Sequence, residues 1–244
     1  MEIIDPFHHH PELRDKIVEP PTSFFRNLNI ELLEQLFKEH NLPGGWWYSD
    51  QEREALRAAF MTDRFGRDLW VFGYGSLMWD PAFDFAEVRR ARIDGYSRQF
   101  ILKDVRGGRG NHDQPGLFAA LDDGPGCDGL AFRIAADHLE EATALLWQRE
   151  QIEPGYLPVI VRTHLDDCEV EALTFVADHS AEVIAPGLPH NTQVEYIATA
   201  SGILGTSAEY LGGIVAKLRE LGIEDAETAE LWAGVEAYCA AKPG

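Results

Sequence analysis

Leu69-Trp70-Val71-Phe72-Gly73-Tyr74-Gly75-Ser76-Leu77-Met78-Trp79 is the stretch from which the rest of the chain can be read. Four apolar residues in a row enter it, the pattern of a buried strand, and Gly73 and Gly75 then break the run around Tyr74. A strand ending in Gly-x-Gly-Ser turns tightly and leaves backbone N–H groups unpaired where no Cβ bars an approaching ligand. Such a turn can hold a carbonyl oxygen or an oxyanion, and it can equally be a plain strand end. A dinucleotide fingerprint is not completed, because position 78 is Met, and phosphate binding is not the reading.

Downstream, Val88 to Ile93 and Tyr96 to Leu102 are β-prone runs separated by Asp94-Gly95, which predicts a hairpin between them. Arg106 to Gly116 is glycine-rich and lacks apolar residues, so a mobile loop is expected. Leu117 to Leu121 and Leu130 to Ile134 read as two further strands, and Pro158 to Leu165 with Val170 to Val176 as a second hairpin. Between them Asp137 and Glu140 predict a cap for a helix carrying Leu139, Ala142, Leu145, Leu146 and Arg149. The C-terminal third is helical: Val194, Ile197 and Ala198 share a face, Ser207 can cap a helix that stops at Gly222, and Asp225 can cap another. Strands followed by helices predict an α+β fold, and at least five strands without a polar face predict a small, closed or nearly closed mixed β-barrel flanked by helices.

Upstream, residues 1 to 28 show no period and are expected to wrap over the surface. Asn29 predicts the start of a helix through Ile30, Leu33 and Phe37, and Ser49 with Glu52 makes a capping box. The helix it opens is expected to bury Ala55, Leu56, Ala59 and Phe60. Trp46, Trp47 and Tyr48 are too apolar for a free linker and should dock. Residues 1–68 therefore read as an N-terminal helical extension of a domain spanning 69–244.

Composition narrows the partners. A formal net charge of −20, from 41 acidic against 21 basic residues, argues against nucleic acid and anionic membranes. An anionic small substrate would need local cations to hold it. The apolar runs are far shorter than a membrane span needs, and Met1-Glu2-Ile3-Ile4 has no basic leader character, so a cytoplasmic protein is expected. Cys127, Cys168 and Cys239 make no metal-type spacing, and His8-His9-His10 reads as an exposed, incidental run; no metal is expected.

Val71 to Leu77 followed by Trp79 resembles the opening signature of the ChaC-type γ-glutamylcyclotransferases. The match continues in order through Arg109-Gly110, Pro115-Gly116, Gly129 to Ile134, Leu146 to Glu150 with Gly155-Tyr156, and Gly202 to Leu211 with Glu209-Tyr210-Leu211. It covers residues 69 to 222 and departs at Ser207, where the family often has Asn. The resemblance implies the same barrel fold and a glutathione-degrading enzyme that needs no cofactor. The substrate's own α-amine attacks its γ-carbonyl, giving 5-oxoproline, and such intramolecular attack reaches effective molarities of about 10⁵ M or more.

From the residues alone, Glu150 is one acid among 41 and reads as a solvated carboxylate. The resemblance makes it the general acid/base, with a pKa raised by burial beside Trp147. Tyr74, Gly75, Ser76 and Leu77 would contact the substrate through the turn, Tyr156 would belong to the binding residues, and Tyr210 would hydrogen-bond the substrate carboxylate or be a core tyrosine with its hydroxyl satisfied. Arg109 would be the cation for the substrate's far end. Two other readings stay open: a cyclotransferase for γ-glutamylamines or another γ-glutamyl metabolite, and a binding or regulatory protein on the same barrel without turnover.

Overall fold

In the computed structural model, which describes residues 5–241, β1 (Leu69–Gly73) has a partner on each side. It runs antiparallel to β5 (Cys127–Ile134), with Val71 opposite Phe132, and parallel to β7 (Glu169–Ala177), with Val71 opposite Leu173. β5 continues to β2 (Glu87–Ile93), β2 to β6 (Tyr156–His164), and β6 back to β7. The ring β1–β5–β2–β6–β7 closes on itself with one parallel seam, which is the small mixed barrel expected. Closure leaves the five ring strands without a free edge. Val71 and Phe72 point to opposite faces of β1 and both are fully buried, which is why the strand reads as a continuous apolar run rather than an alternation.

The turn at Asp94-Gly95 forms, with Gly95 at φ +81°, but the strands it joins do not pair with each other. β2 stays in the ring, while β3 (Tyr96–Arg106) pairs along its length with β4 (Asn111–Asp123), a hairpin tied to the ring through Leu121 opposite Val176. An Asp-Gly pair sets the local turn; the long-range partner is set by burial. The expected loop at 106–116 is correspondingly shorter, since β4 already begins at Asn111. Its tip is also pinned rather than mobile: Asp104 accepts from the backbone N–H groups of Arg106 (2.8 Å), Gly107 and Arg109, and Gly107 and Gly108 accept from Ile203 and Leu204.

α3 (Leu139–Glu150) starts through a 3₁₀ turn at Ala136–His138 and has no side-chain cap, so the Asp137 cap is not made. α4 (His190–Thr199), α5 (Ser207–Glu220) and α6 (Ala226–Ala241) complete the helical layer. Thr206, not Ser207, caps α5, in a capping box with Glu209; Ser207 is buried and its Oγ exchanges two 3.0 Å hydrogen bonds with the backbone of Leu117. Asp225 caps α6 as expected, accepting from Thr228 at 2.9 Å.

The N-terminal segment goes deeper than a surface wrap. Leu13 and Ile17 enter the main core, Val18 donates to the Trp79 carbonyl (2.7 Å) and Val88 donates to that of Pro6 (3.0 Å). His10 is buried and accepts from the Arg90 backbone, so the histidine run is not wholly exposed. His8, His9 and Glu87 could gather around a cation, but Arg89 lies 3.2 Å from His9 and also pairs with Glu87. α1 (Ile30–Glu39) buries Leu33 and Phe37 under Trp46 and Trp47. α2 (Asp50–Met61) turns a different face inward from the one expected: Arg53, Arg57 and Met61 are buried and Leu56 is 42% exposed. The reason is Arg57, whose guanidinium is satisfied by Glu54, Glu140 and Thr143. Residues 1–4 and 242–244, the outer ends of the two expected segments, lie outside the described residues.

Gly129 of β5 marks the closest approach in the ring. A Cβ there would collide with the Gly73 carbonyl oxygen and come within 3.0 Å of the Phe72 ring. Gly129→Ala should therefore destabilise the protein by about 1–3 kcal/mol, as overpacking against backbone does. Equilibrium urea unfolding checks this; an unchanged midpoint would refute the close approach.

Candidate active site

α3 carries Leu139, Ala142, Leu146 and Arg149 on its buried face and ends at Glu150. Arg149 is a buried guanidinium, and a buried cation must have its donors satisfied. Its Nε donates to Glu150 Oε1 (2.9 Å), one Nη to Ser76 Oγ (2.9 Å) and the other to the Asp80 carbonyl. One side chain thus fastens the end of α3 to the turn that follows β1. The ring of Phe25 lies 4.2 Å from the guanidinium carbon and covers its face. Sequence reading placed Arg149 on the helix but gave it no role; the signal was a lone arginine ending an apolar stripe at helical spacing.

Glu150 faces the same cavity as the turn. Burial raises its carboxyl above the ordinary value, and the neighbouring Arg149 charge and hydrogen bond pull it part of the way back. Trp147 packs between Phe60 and Phe175.

Gly75, Ser76 and Leu77 line the same cavity as Glu150, and among the described residues their backbone N–H groups donate to no protein acceptor. A Cβ on Gly75 would stand 2.9 Å from the Tyr210 hydroxyl, so a side chain there would force Tyr210 or the turn to shift. Tyr210 is packed by Phe118 and Trp79, and burial pushes its pKa up to about 12, so it stays a neutral hydroxyl. Tyr74 and Tyr156 also reach the cavity, but their hydroxyls donate to the carbonyls of Phe175 (3.0 Å) and Ala119 (2.7 Å). Those two bonds hold strands in place.

Arg109 sits at the pinned tip of the β3–β4 hairpin with its guanidinium 5.4 Å from the centre of the Tyr210 ring. One Nη donates to the Thr206 carbonyl (2.8 Å), and its Nε has no partner in the protein. Burial lowers its pKa, as expected of a cation with little solvent. All eight residues singled out from the sequence therefore line one cavity. Among the other acids in it, Glu153 had no sequence signal: burial lifts it to about 7 despite Arg106 at 3.3 Å. The extension supplies the remaining wall, with Phe25, Leu28, Leu36 and Trp46 among its residues.

A family model described as ChaC-like protein matches residues 69–238. A glutathione-specific gamma-glutamylcyclotransferase of Escherichia coli (strain K12) is 38% identical over 189 residues, which are 73% of this chain and 78% of that protein. The glutathione-specific gamma-glutamylcyclotransferase 1 of Rattus norvegicus is 35% identical over 59% of this chain and 66% of its own length. A crystal structure of a yeast gamma-glutamyl cyclotransferase specific to glutathione superposes with a TM-score of 0.65 at 21% identity, covering 71% of this chain and 97% of that one, a likeness of fold.

Arg149 holds the Glu150 carboxyl below the value that burial alone would give. Arg149→Met should therefore move the Glu150 titration to higher pH, while Arg149→Lys, which keeps the charge and loses the planar fork, should move it less. Carboxyl-labelled NMR of Glu150 reads the shift; a downward move in the Met variant would contradict this assignment.

Proposed function

The chain belongs to the ChaC-like protein family, and we propose that it is a γ-glutamylcyclotransferase that releases 5-oxoproline and cysteinylglycine from glutathione. The observation that carries the reading is the placement of Glu150. Arg149 bonds both Glu150 and Ser76, so a largely buried carboxylate and a turn with unpaired N–H groups share one cavity.

The reaction needs four things of the protein, and the cavity offers a group for each. The γ-glutamyl chain must be bent so that its α-amine meets its own γ-carbonyl, which the narrow space between the turn and Tyr210 favours. Ionised Glu150 takes a proton from the α-ammonium, and the freed nitrogen attacks the γ-carbonyl to close a five-membered lactam. The N–H groups of Gly75, Ser76 and Leu77 face the oxyanion or the substrate carboxylate; one preorganised donor is worth about 3–4 kcal/mol in the transition state. Glu150 then returns the proton to the cysteinyl nitrogen as the amide C–N bond breaks. A raised pKa suits both halves of that shuttle, since an ordinary carboxylate is too weak a base for an ammonium. Arg109 and the neutral Tyr210 hydroxyl are assigned to the substrate's carboxylates.

No water is consumed, which places the reaction among the lyases. Residues 1–68 act as an extension that completes the site of the domain at 69–244. The free thiols Cys127, Cys168 and Cys239 fit a reducing cytoplasm. Among the described residues, no helix is long and apolar enough to cross a membrane.

Glu150→Gln keeps the shape and removes the base, so turnover of glutathione should fall by about 10²–10⁴-fold. A variant within a few-fold of wild type in a 5-oxoproline assay would overturn the role of Glu150. In the wild type, kcat/KM should rise with pH through the Glu150 pKa, because the ionised carboxylate is the active base. That limb should lie above the ordinary 4.5 of a glutamate, since burial raises it. A limb at or below 4.5 would contradict the assignment.

A further inference from the structure

Glutathione has one ammonium, two carboxylates, two amides and a single apolar branch, the cysteinyl CH₂–SH. The turn N–H groups, Arg109, Tyr210 and Glu150 account for polar contacts, all on the barrel side of the cavity. Facing them is an apolar wall from the extension, with Phe24, Phe25 and Leu36 at its surface and Leu28, Leu33 and Phe37 packed behind them. One CH₂–SH group cannot cover Phe24, Phe25 and Leu36 together. The wall lines the same cavity as Glu150, and Phe24 in it is 41% exposed. It lies wholly in residues 24–37, outside the 69–238 span of the family match, so it is an addition to the barrel and not part of it.

We infer that this wall receives an apolar group carried on the substrate sulfur, so that the protein also opens S-alkyl and S-aryl conjugates of glutathione. The inference rests on the cyclotransferase reading. The bonds balance as before: the α-nitrogen bonds to the γ-carbon, the γ-carbon–cysteinyl nitrogen bond breaks, and the ammonium proton passes to the leaving nitrogen. The C–S bond is untouched, so the products are 5-oxoproline and an S-substituted cysteinylglycine, with no co-reactant. The S-substituent lies along the wall.

The test is a series: glutathione and its S-methyl, S-butyl and S-hexyl derivatives, each assayed for 5-oxoproline release by the full-length protein. A methylene moved from water to an apolar wall is worth about a factor of four, so S-hexyl should show a KM about ten-fold or more below that of S-methyl. Leu36 is only partly buried, so Leu36→Gln should fold, checked by its thermal midpoint, and should flatten the dependence of KM on chain length. Turnover of glutathione with no turnover of S-hexyl, or with no gain from S-methyl to S-hexyl, would overturn the inference and leave the cyclotransferase reading standing. An undiminished gain in Leu36→Gln would place the substituent elsewhere and overturn it too. Release of 5-oxoproline from none of the four would overturn both.

Discussion

The guanidinium of Arg149 joins the two halves of the site. Its bonds to Ser76, to the Asp80 carbonyl and to Glu150 link the turn after β1 to the last residue of α3, elements more than seventy positions apart. Without that link a buried carboxylate would stand beside a turn whose position depended on backbone alone. With it, the charge of Glu150 is partly compensated while burial still holds its pKa above the ordinary value, the compromise that a proton shuttle needs. A buried pair of this kind is weak evidence for stability, since desolvation offsets much of the attraction. Its value here is geometric.

The barrel provides the rigid frame, and the extension decides what the cavity looks like from outside. Phe25 stacks on Arg149, Trp46 lies beside Arg106, and Tyr48 donates to the Ile152 carbonyl just after Glu150. These contacts bring residues 25–48 onto the loop between α3 and β6. The polar groups of the cavity come from residues 69–244, and the extension adds only apolar side chains to the lining.

What was legible in the sequence was local. The apolar run of β1, the capping box at Ser49 and Glu52, the Asn29 cap and the β6–β7 hairpin all form as the residues predict, because each depends on neighbours within a few positions. The β2–β3 hairpin failed because Asp94-Gly95 fixes a turn and not a partner; β2 gains more by closing the ring against β5 and β6. The buried face of α2 departs from its helical period because the burial of Arg57 depends on Glu140 and Thr143 of α3, which no helical period reveals. For the site, the turn could be suspected from its glycines, whereas Glu150 stood out among the acids only through family resemblance. Glu153 and the wall of the extension could not be found at all, because only the fold brings them there.

The central claim is that the nucleophile is the substrate's own amine, set free by Glu150. Turnover of glutathione in H₂¹⁸O tests it most directly. The account predicts 5-oxoproline with no ¹⁸O, in equal amount to cysteinylglycine. Free glutamate carrying ¹⁸O in its γ-carboxyl would mean that water attacked the carbonyl, and would contradict it.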